Sequence, residues 1–341
     1  MAGPPGIEPG TYGLRASTHP AQRFGPPLYL TELRAPLLAY SRICILDGVN
    51  KLCGFTPSWK IVLKFCGVWV CEEGVVLGEL VFVGLGLHDE FGISLKGLEE
   101  AKTADAVFLE AYTNFMPDFS LENFERLVGK RVVVVSRKQL EDENGWVVLE
   151  AALKGKAVLL VPGDPLVATT HVAVRLEAQK RGIKTRIVHG ASIVSAVMGL
   201  CGLHNYKFGK SVTIPFPENF SETPYNVLAQ NMRLGLHTLC LLDIDVEKNR
   251  FLTVREALEM LFRVEAEKRL GVLGGETLAV GVARAGSLNP TVKAGFVKEL
   301  LDYDFGGPPY SLVFPGRLHF MEAEALVAFA QAPPSVWRLV E

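Results

Sequence analysis

The chain reads as an α/β protein, with helices covering a largely parallel sheet in its first part and a more antiparallel α/β half after it. Three observations predict this. Residues 80–107 pass from an apolar run through Gly84 and Gly86 into a segment of helical spacing, the pattern of a strand buried on both faces and followed by its covering helix. Short β-rich runs and helical patterns then alternate, as a parallel sheet requires. Finally, strands in both halves end in Gly-containing loops, which gathers loop ends at a shared cleft.

Composition narrows the field. With 341 residues the chain can bury a sizeable core and hold about two domains. A net charge of −2 gives no electrostatic footprint for nucleic acid, and 49% hydrophobic with 21% charged residues describes a soluble globular protein. The cysteines at 44, 53, 66, 71, 201 and 240 form no C-x-x-C pair, so neither a metal site nor a disulfide framework is expected. Cys201 and Cys240 read as small hydrophobes packed in a protein of the reducing cytoplasm.

Residues 1–75 differ from the rest. Their first part is crowded with Pro and Gly and has no amphipathic period, so the stretch reads as a disordered or dispensable extension, and as a product of an upstream start assignment. The apolar stretch 61–87 is broken by Lys64, Glu72, Glu73 and Glu79, which leaves pieces too short for a membrane span. No charged-then-apolar leader opens the chain.

From Leu80 onward the elements follow in order. Strands are expected at 80–85, 106–110, 131–136, 157–162 and 185–188, and helices from Leu95, at 121–128 behind Ser120 as N-cap, at 146–153 and at 166–181. In the second half, 211–216 alternates and ends in prolines, 238–243 is an apolar strand, and Thr253 with Glu256 forms a capping box before a helix through Arg269. Strands at 278–283 and 311–314 and a helix at 320–329 complete the chain.

Four stretches carry the chemical interest. Gly84 and Gly86 allow a tight turn and a close backbone approach to a ligand at Gly86, but position 89 is Asp where a dinucleotide fingerprint needs its third Gly. In VPGDPLVATTH, Asp164 sits where an N-cap should be with Pro165 at the first helical position, and a carboxylate at a strand's carboxyl end also suits a ribose hydroxyl or an amino group. Both roles are open. Gly209-Lys210-Ser211 resembles the end of a phosphate loop, yet position 204 is His and a strand follows, so that reading is rejected. Ser192 is placed to cap a helix through Met198, whose first N–H groups face a ligand or simply receive the cap.

Taken together, GLGLHDE (84–90), PGDPLVATTH (162–171), GLHNYKFGKS (202–211), ARAGSLNP (283–290) and PGRLHFMEAE (315–324) closely resemble diphthine synthases. These are a branch of the tetrapyrrole-methylase-like superfamily of S-adenosylmethionine-dependent methyltransferases. The resemblance covers about 76–334 in order and spacing, and residues 1–75 have no counterpart in it.

It implies two α/β domains of the tetrapyrrole methylase type, 76–205 and 206–341, with the active site in the cleft between them. It implies S-adenosyl-L-methionine as methyl donor, contacted at Leu87, Asp164, Val167, Ser192, Ile193, Leu242, Ala285 and Tyr310, the last standing where the family often has His. It further implies a cytoplasmic homodimer that acts on elongation factor 2, repeatedly methylating the amine of a 3-carboxy-3-aminopropyl group on a modified histidine. No membrane or nucleic-acid partner is implied. No general base is assigned by any motif, because no His is placed to take the proton each ammonium must lose. Two other readings stand beside it: a corrinoid-precursor methyltransferase of the same superfamily, and a non-catalytic nucleotide-binding module.

Overall fold

A computed structural model describes Val62–Phe65, Val68–Cys71 and residues 78–341. The chain divides between Val75 and Val76 into two units. In the first, β1 (Val62–Phe65) and β2 (Val68–Cys71) pair antiparallel. Apart from this hairpin, the expected extension lies outside the described residues, as do Cys44, Cys53 and Cys66.

The second unit begins with a five-stranded parallel sheet. Its strands are β3 (Glu79–Gly84), β4 (Ala106–Glu110), β5 (Val133–Val135), β6 (Lys156–Val161) and β7 (Lys184–Val188), in the order β5-β4-β6-β3-β7. Both faces of β3 are buried because its side chains alternate. Leu80 and Phe82 pack with Phe108, Leu149 and Leu159 under α3 (Trp146–Lys154) and α4 (Val172–Lys180), while Val81 and Val83 pack with Leu109, Phe124 and Leu160 under α1 (Leu95–Thr103) and α2 (Leu121–Val128). Ser120 caps α2 as expected, its side chain accepting from the Asn123 N–H at 3.2 Å. Arg186 on β7 clamps Glu79 on β3 and Glu100 on α1 with bonds of 2.6–3.1 Å, which fixes α1 against the sheet.

After α5 (Ile193–Cys201) the second sheet is mostly antiparallel. It comprises β8 (Val212–Ile214), β9 (Thr238–Leu242), β12 (Leu278–Ala283), β13 (Thr291–Phe296) and β14 (Tyr310–Phe314), ordered β13-β12-β14-β9-β8, and only β8 and β9 pair in parallel. A small hairpin, β10 (Ile244–Asp245) with β11 (Arg250–Phe251), extends beyond β9. One face carries α6 (Thr223–Arg233) and α7 (Val254–Lys268), the latter opened by the anticipated Thr253–Glu256 capping box, and a single-turn α8 (Val297–Leu300) follows β13. On the other face lie α5 and α9 (Phe320–Ala330). The strand after Lys210 is β8, so the sequence that imitates a phosphate loop leads into a sheet rather than a helix.

Two contacts tie the halves together. Leu87, just beyond β3, is buried in a core otherwise built by the second sheet, among Val280, Val282, Ala285 and Val313. Helix α5 places Val197 and Cys201 in that same core. Burial pushes the thiols of Cys201 and Cys240 up to about 12, so both behave as apolar filling. Among the described residues no helix is long and apolar enough to cross a membrane.

Candidate active site

The carboxyl ends of the parallel strands and the loops of the second sheet enclose a cavity of about 270 Å³. All eight residues that the resemblance implied as donor contacts line it. Leu87 comes from the turn after β3, Asp164 and Val167 from the loop after β6, and Ser192 with Ile193 from the start of α5. The second sheet contributes Leu242 at the end of β9, Ala285 after β12 and Tyr310 at the start of β14. Leu87, Asp164, Leu242 and Ala285 are buried, whereas Val167 is exposed.

The turn after β3 differs from expectation in what its glycines do. Gly86 has φ +83° and exchanges two backbone hydrogen bonds with Gly163, donating to its oxygen at 3.2 Å and accepting from its N–H at 2.6 Å. A Cβ on Gly86 would stand 2.8 Å from the Gly92 oxygen, against backbone. The expected close approach of Gly86 to a ligand is therefore corrected: Gly86 packs this turn against two others, and the next side chain, Leu87, meets the cleft.

Asp164 is corrected in one of its two roles. The helix expected from residue 166 starts at Val172, so Asp164 is no helix cap. Its Oδ1 accepts from the Leu166 N–H at 3.2 Å, closing a local turn, and Ala168 follows at φ +56°. A left-handed residue four places after Asp164 cannot sit in a helix, so the chain turns again before α4. The second oxygen, Oδ2, lies 2.7 Å from Nδ1 of the exposed His189. Asp164 is thus fixed from two sides while its carboxylate borders the cleft.

Ser192 does cap α5, its Oγ accepting from the Val194 N–H at 3.2 Å. Tyr310 donates its hydroxyl to the Gly306 oxygen, so the phenol O–H serves its own loop and the side chain is held in place by it.

The cleft has a further wall that no motif marked. Tyr112 follows β4, while Arg137 and Glu141 follow β5. Arg137 immediately precedes a wide helical turn, Lys138–Asp142, closed by a bond of 2.9 Å from the Glu143 N–H to the Lys138 oxygen and anchored by buried Leu140. Such turns occur frequently at functional sites. The Arg137 guanidinium lies 5.2 Å from the centre of the Tyr112 ring, and Glu141 accepts from the Thr170 hydroxyl at 3.0 Å. The Tyr112 hydroxyl is buried without a hydrogen-bond partner, and burial, then the charges of Glu110 and Glu141, push it above the ordinary phenol value, so it stays neutral. Behind it, buried His171 has Nε2 3.5 Å from Glu110 Oε1. These side chains were findable from position alone, since each lies just past a strand expected from sequence. Among the described residues no cluster of His, Cys, Asp and Glu suits a metal ion.

The sequence profile of the family described as Tetrapyrrole (Corrin/Porphyrin) Methylases matches residues 79–301, and the chain belongs to that family of methyltransferases. Within it, the chain is 49% identical over 269 residues to the diphthine synthase of Methanosarcina mazei, covering 77% of this chain and 100% of that protein. It is 47% identical over 251 residues to that of Methanocaldococcus jannaschii, covering 72% of this chain and 97% of the relative. A crystal structure of diphthine synthase superposes with a TM-score of 0.70 at 46% identity, over 76% of this chain and 99% of that one. The chain is therefore a member of the diphthine synthase branch, a methyltransferase of the kind that serves diphthamide biosynthesis.

Proposed function

We propose that this protein uses S-adenosyl-L-methionine to methylate, repeatedly, the amine of the 3-carboxy-3-aminopropyl-modified histidine of elongation factor 2. The observation that carries the reading is the convergence of Leu87, Asp164, Val167, Ser192, Ile193, Leu242, Ala285 and Tyr310 on one cleft, which we take as the donor site. The donor-set chemistry fits. Those residues offer apolar surface, backbone, two hydroxyls and a single carboxylate, Asp164, and with Asp243 and Glu141 the cavity's carboxylates outnumber its guanidinium, Arg137, which suits a cationic sulfonium and adenine better than phosphates.

When bound, S-adenosylmethionine supplies a methyl group activated by its sulfonium, whose bonding pair returns to sulfur as the acceptor nitrogen's lone pair forms the new bond. The residues of this chain hold the partners in line and exclude water, the work of the buried Leu87, Leu242 and Ala285. The proton released before each round passes to water or to a carboxylate bordering the cleft. We further propose a cytoplasmic homodimer whose working part comprises domains 76–205 and 206–341, bridged by α5, with residues 1–75 dispensable. A chain starting at Val76 should then melt and bind donor like the full chain, and loss of either property would make the extension structural.

The reaction is tested by offering methyl-labelled donor with two acceptors, elongation factor 2 bearing the aminocarboxypropyl histidine and a corrin precursor. Label on the factor is expected. Label on the tetrapyrrole alone would move the chain to the corrin-methylating members of its family. Asp164→Asn probes the donor site directly: it preserves the acceptor for the Leu166 N–H and alters only the contact to the exposed His189 ring, which solvent screens to little weight, so thermal stability without donor should stay near the parent's. Loss of a charge-assisted bond worth roughly 1.5–3 kcal/mol should weaken S-adenosylmethionine about tenfold or more by calorimetric titration. Unchanged affinity would remove the carboxylate's charge from the site.

A further inference from the structure

Strand order separates the cleft into two parts. The proposed donor contacts on the first sheet follow β3, β6 and β7, whereas Tyr112, Arg137 and Glu141 follow β4 and β5, beyond β6 on the other side of the sheet. That outer part holds a cation, an anion and a neutral hydroxyl, each with unused capacity. Arg137 has no carboxylate within ion-pair distance among the described residues and rests on the face of Tyr112. Glu141 carries one hydrogen bond, from Thr170, where a carboxylate has room for several. The Tyr112 hydroxyl is buried beside Glu141 at the same wall, outside full hydrogen-bond geometry.

Arg137 immediately precedes, and Glu141 lies within, one turn whose buried Leu140 and 2.9 Å closing bond hold it against the sheet, so both side chains leave a fixed backbone and only their own rotamers are ordered on binding. A guanidinium matches a carboxylate with paired N–H donors, and a carboxylate matches an ammonium. The geometry points to a second subsite on the β4–β5 side of the cleft, in which Arg137 and Glu141 hold the carboxylate and the ammonium of a zwitterionic, amino-acid-like group on the acceptor. This rests on the proposed function, which supplies an acceptor bearing both groups on one carbon. The donor also ends in an amino-acid group, so the same chemistry has two sources. Sheet order favours the acceptor, because the donor contacts on this sheet follow β6, β3 and β7, whereas Arg137 and Glu141 follow β5, two strands away from β6 at the far edge. In the acceptor's cationic form Glu141 holds the nitrogen by its charge, the N–H that faces the donor side loses its proton to water in the cleft, and the lone pair left in that N–H's place points toward the donor.

The test uses the full chain, with Arg137→Met, Arg137→Lys and Glu141→Gln as variants. Methyl transfer by the parent to elongation factor 2 carrying the aminocarboxypropyl histidine is measured first, and its absence sinks the proposed function itself. With transfer established, S-adenosylhomocysteine is titrated calorimetrically and rates are followed against acceptor concentration. Arg137→Met and Glu141→Gln should leave S-adenosylhomocysteine affinity within about twofold while kcat/KM for the acceptor falls roughly tenfold to a hundredfold. For Arg137→Met the loss should appear mainly in KM, with Arg137→Lys recovering part of it, which a merely structural role would not produce. Weakened S-adenosylhomocysteine binding in both variants would assign the pair to the donor's amino-acid end instead. Unchanged acceptor kinetics with unchanged donor binding would overturn the subsite and leave the proposed function standing.

Discussion

Glu322→Ala should cost roughly 3–5 kcal/mol of stability at neutral pH, the loss typical of removing one member of a buried charge cluster. Glu322 is fully buried on α9 and accepts from the backbone N–H groups of His204 and His319 at 2.9 Å each, from the His237 imidazole at 2.9 Å, and from the Lys207 ammonium. His237 Nδ1 accepts from the Gly316 N–H at 2.9 Å, so Nε2 carries the hydrogen that points at Glu322. Burial also holds the His237 ring below the ordinary imidazole value, against the pull of Glu322, and so neutral. Deleting the carboxylate leaves the partly buried Lys207 without its counter-ion and leaves the His204 and His319 N–H groups and the His237 ring without their acceptor between α9 and the second sheet.

The same residue gives an acid signature. Burial alone would raise the Glu322 carboxyl, but the His319 N–H, Lys207, the His204 N–H and His237 outweigh it and hold the group at about 2. A carboxyl depressed in the folded state stabilises above its unfolded value and loses that contribution as pH falls through its folded one. The contribution, on the order of 3 kcal/mol, should therefore be complete at neutral pH, begin to fall near pH 4.5 and be gone below about pH 2. Glu100, held at about 2 by Arg186 against burial and aided by Lys156, falls away in the same window. Urea midpoints of parent and Glu322→Ala should converge between pH 4.5 and pH 2. Parallel curves would show that the cluster is not what acid dissolves.

A second large effect is expected at the base of the cleft. A Cβ on Gly84 would stand 2.5 Å from both the Gly163 oxygen and the Gly190 nitrogen, and all three contacts closest to it are backbone. The loops after β3, β6 and β7 can meet there only because Gly84 has no side chain. Gly84→Ala should destabilise by about 3 kcal/mol, near the top of the range for overpacking, because no flexible side chain is available to yield. Donor affinity should fall with it, since the two displaced loops carry Asp164 and Ser192. Gly199→Ala, on α5 with nothing within 4 Å of its Cβ, is the control and should be neutral or stabilising by roughly 0.5–1 kcal/mol. Equal melting temperatures for Gly84→Ala and the parent would mean that the loops separate freely.

What could be read from the sequence follows from what repeats. Strand β3 and helices α2 and α7 announce themselves because apolar period and cap residues agree, and their bounds fall within a residue of expectation. Helix α6 went unnoticed because its buried face includes Asn231, whose amide bonds the Lys210 oxygen and Thr238 Oγ1 and so belongs in the core despite its polarity. Strand β13 hides behind Ala294 and Gly295, residues of low strand preference chosen by close packing. At the cleft, residues within distinctive strings such as GDPLV and RAGSLNP were legible. Tyr112, Arg137 and Glu141 sit in ordinary ones, and only the strand order that brings β4 and β5 beside β6 gives them a common purpose.

The central claim is tested most directly by tandem mass spectrometry of elongation factor 2 after incubation with this protein and S-adenosylmethionine. The account predicts stepwise methyl additions that fragment with the nitrogen of the aminocarboxypropyl group on the modified histidine, and none on a factor whose histidine lacks that group. Methyl groups found on other residues, or a factor unchanged in mass while the protein binds donor, would contradict it.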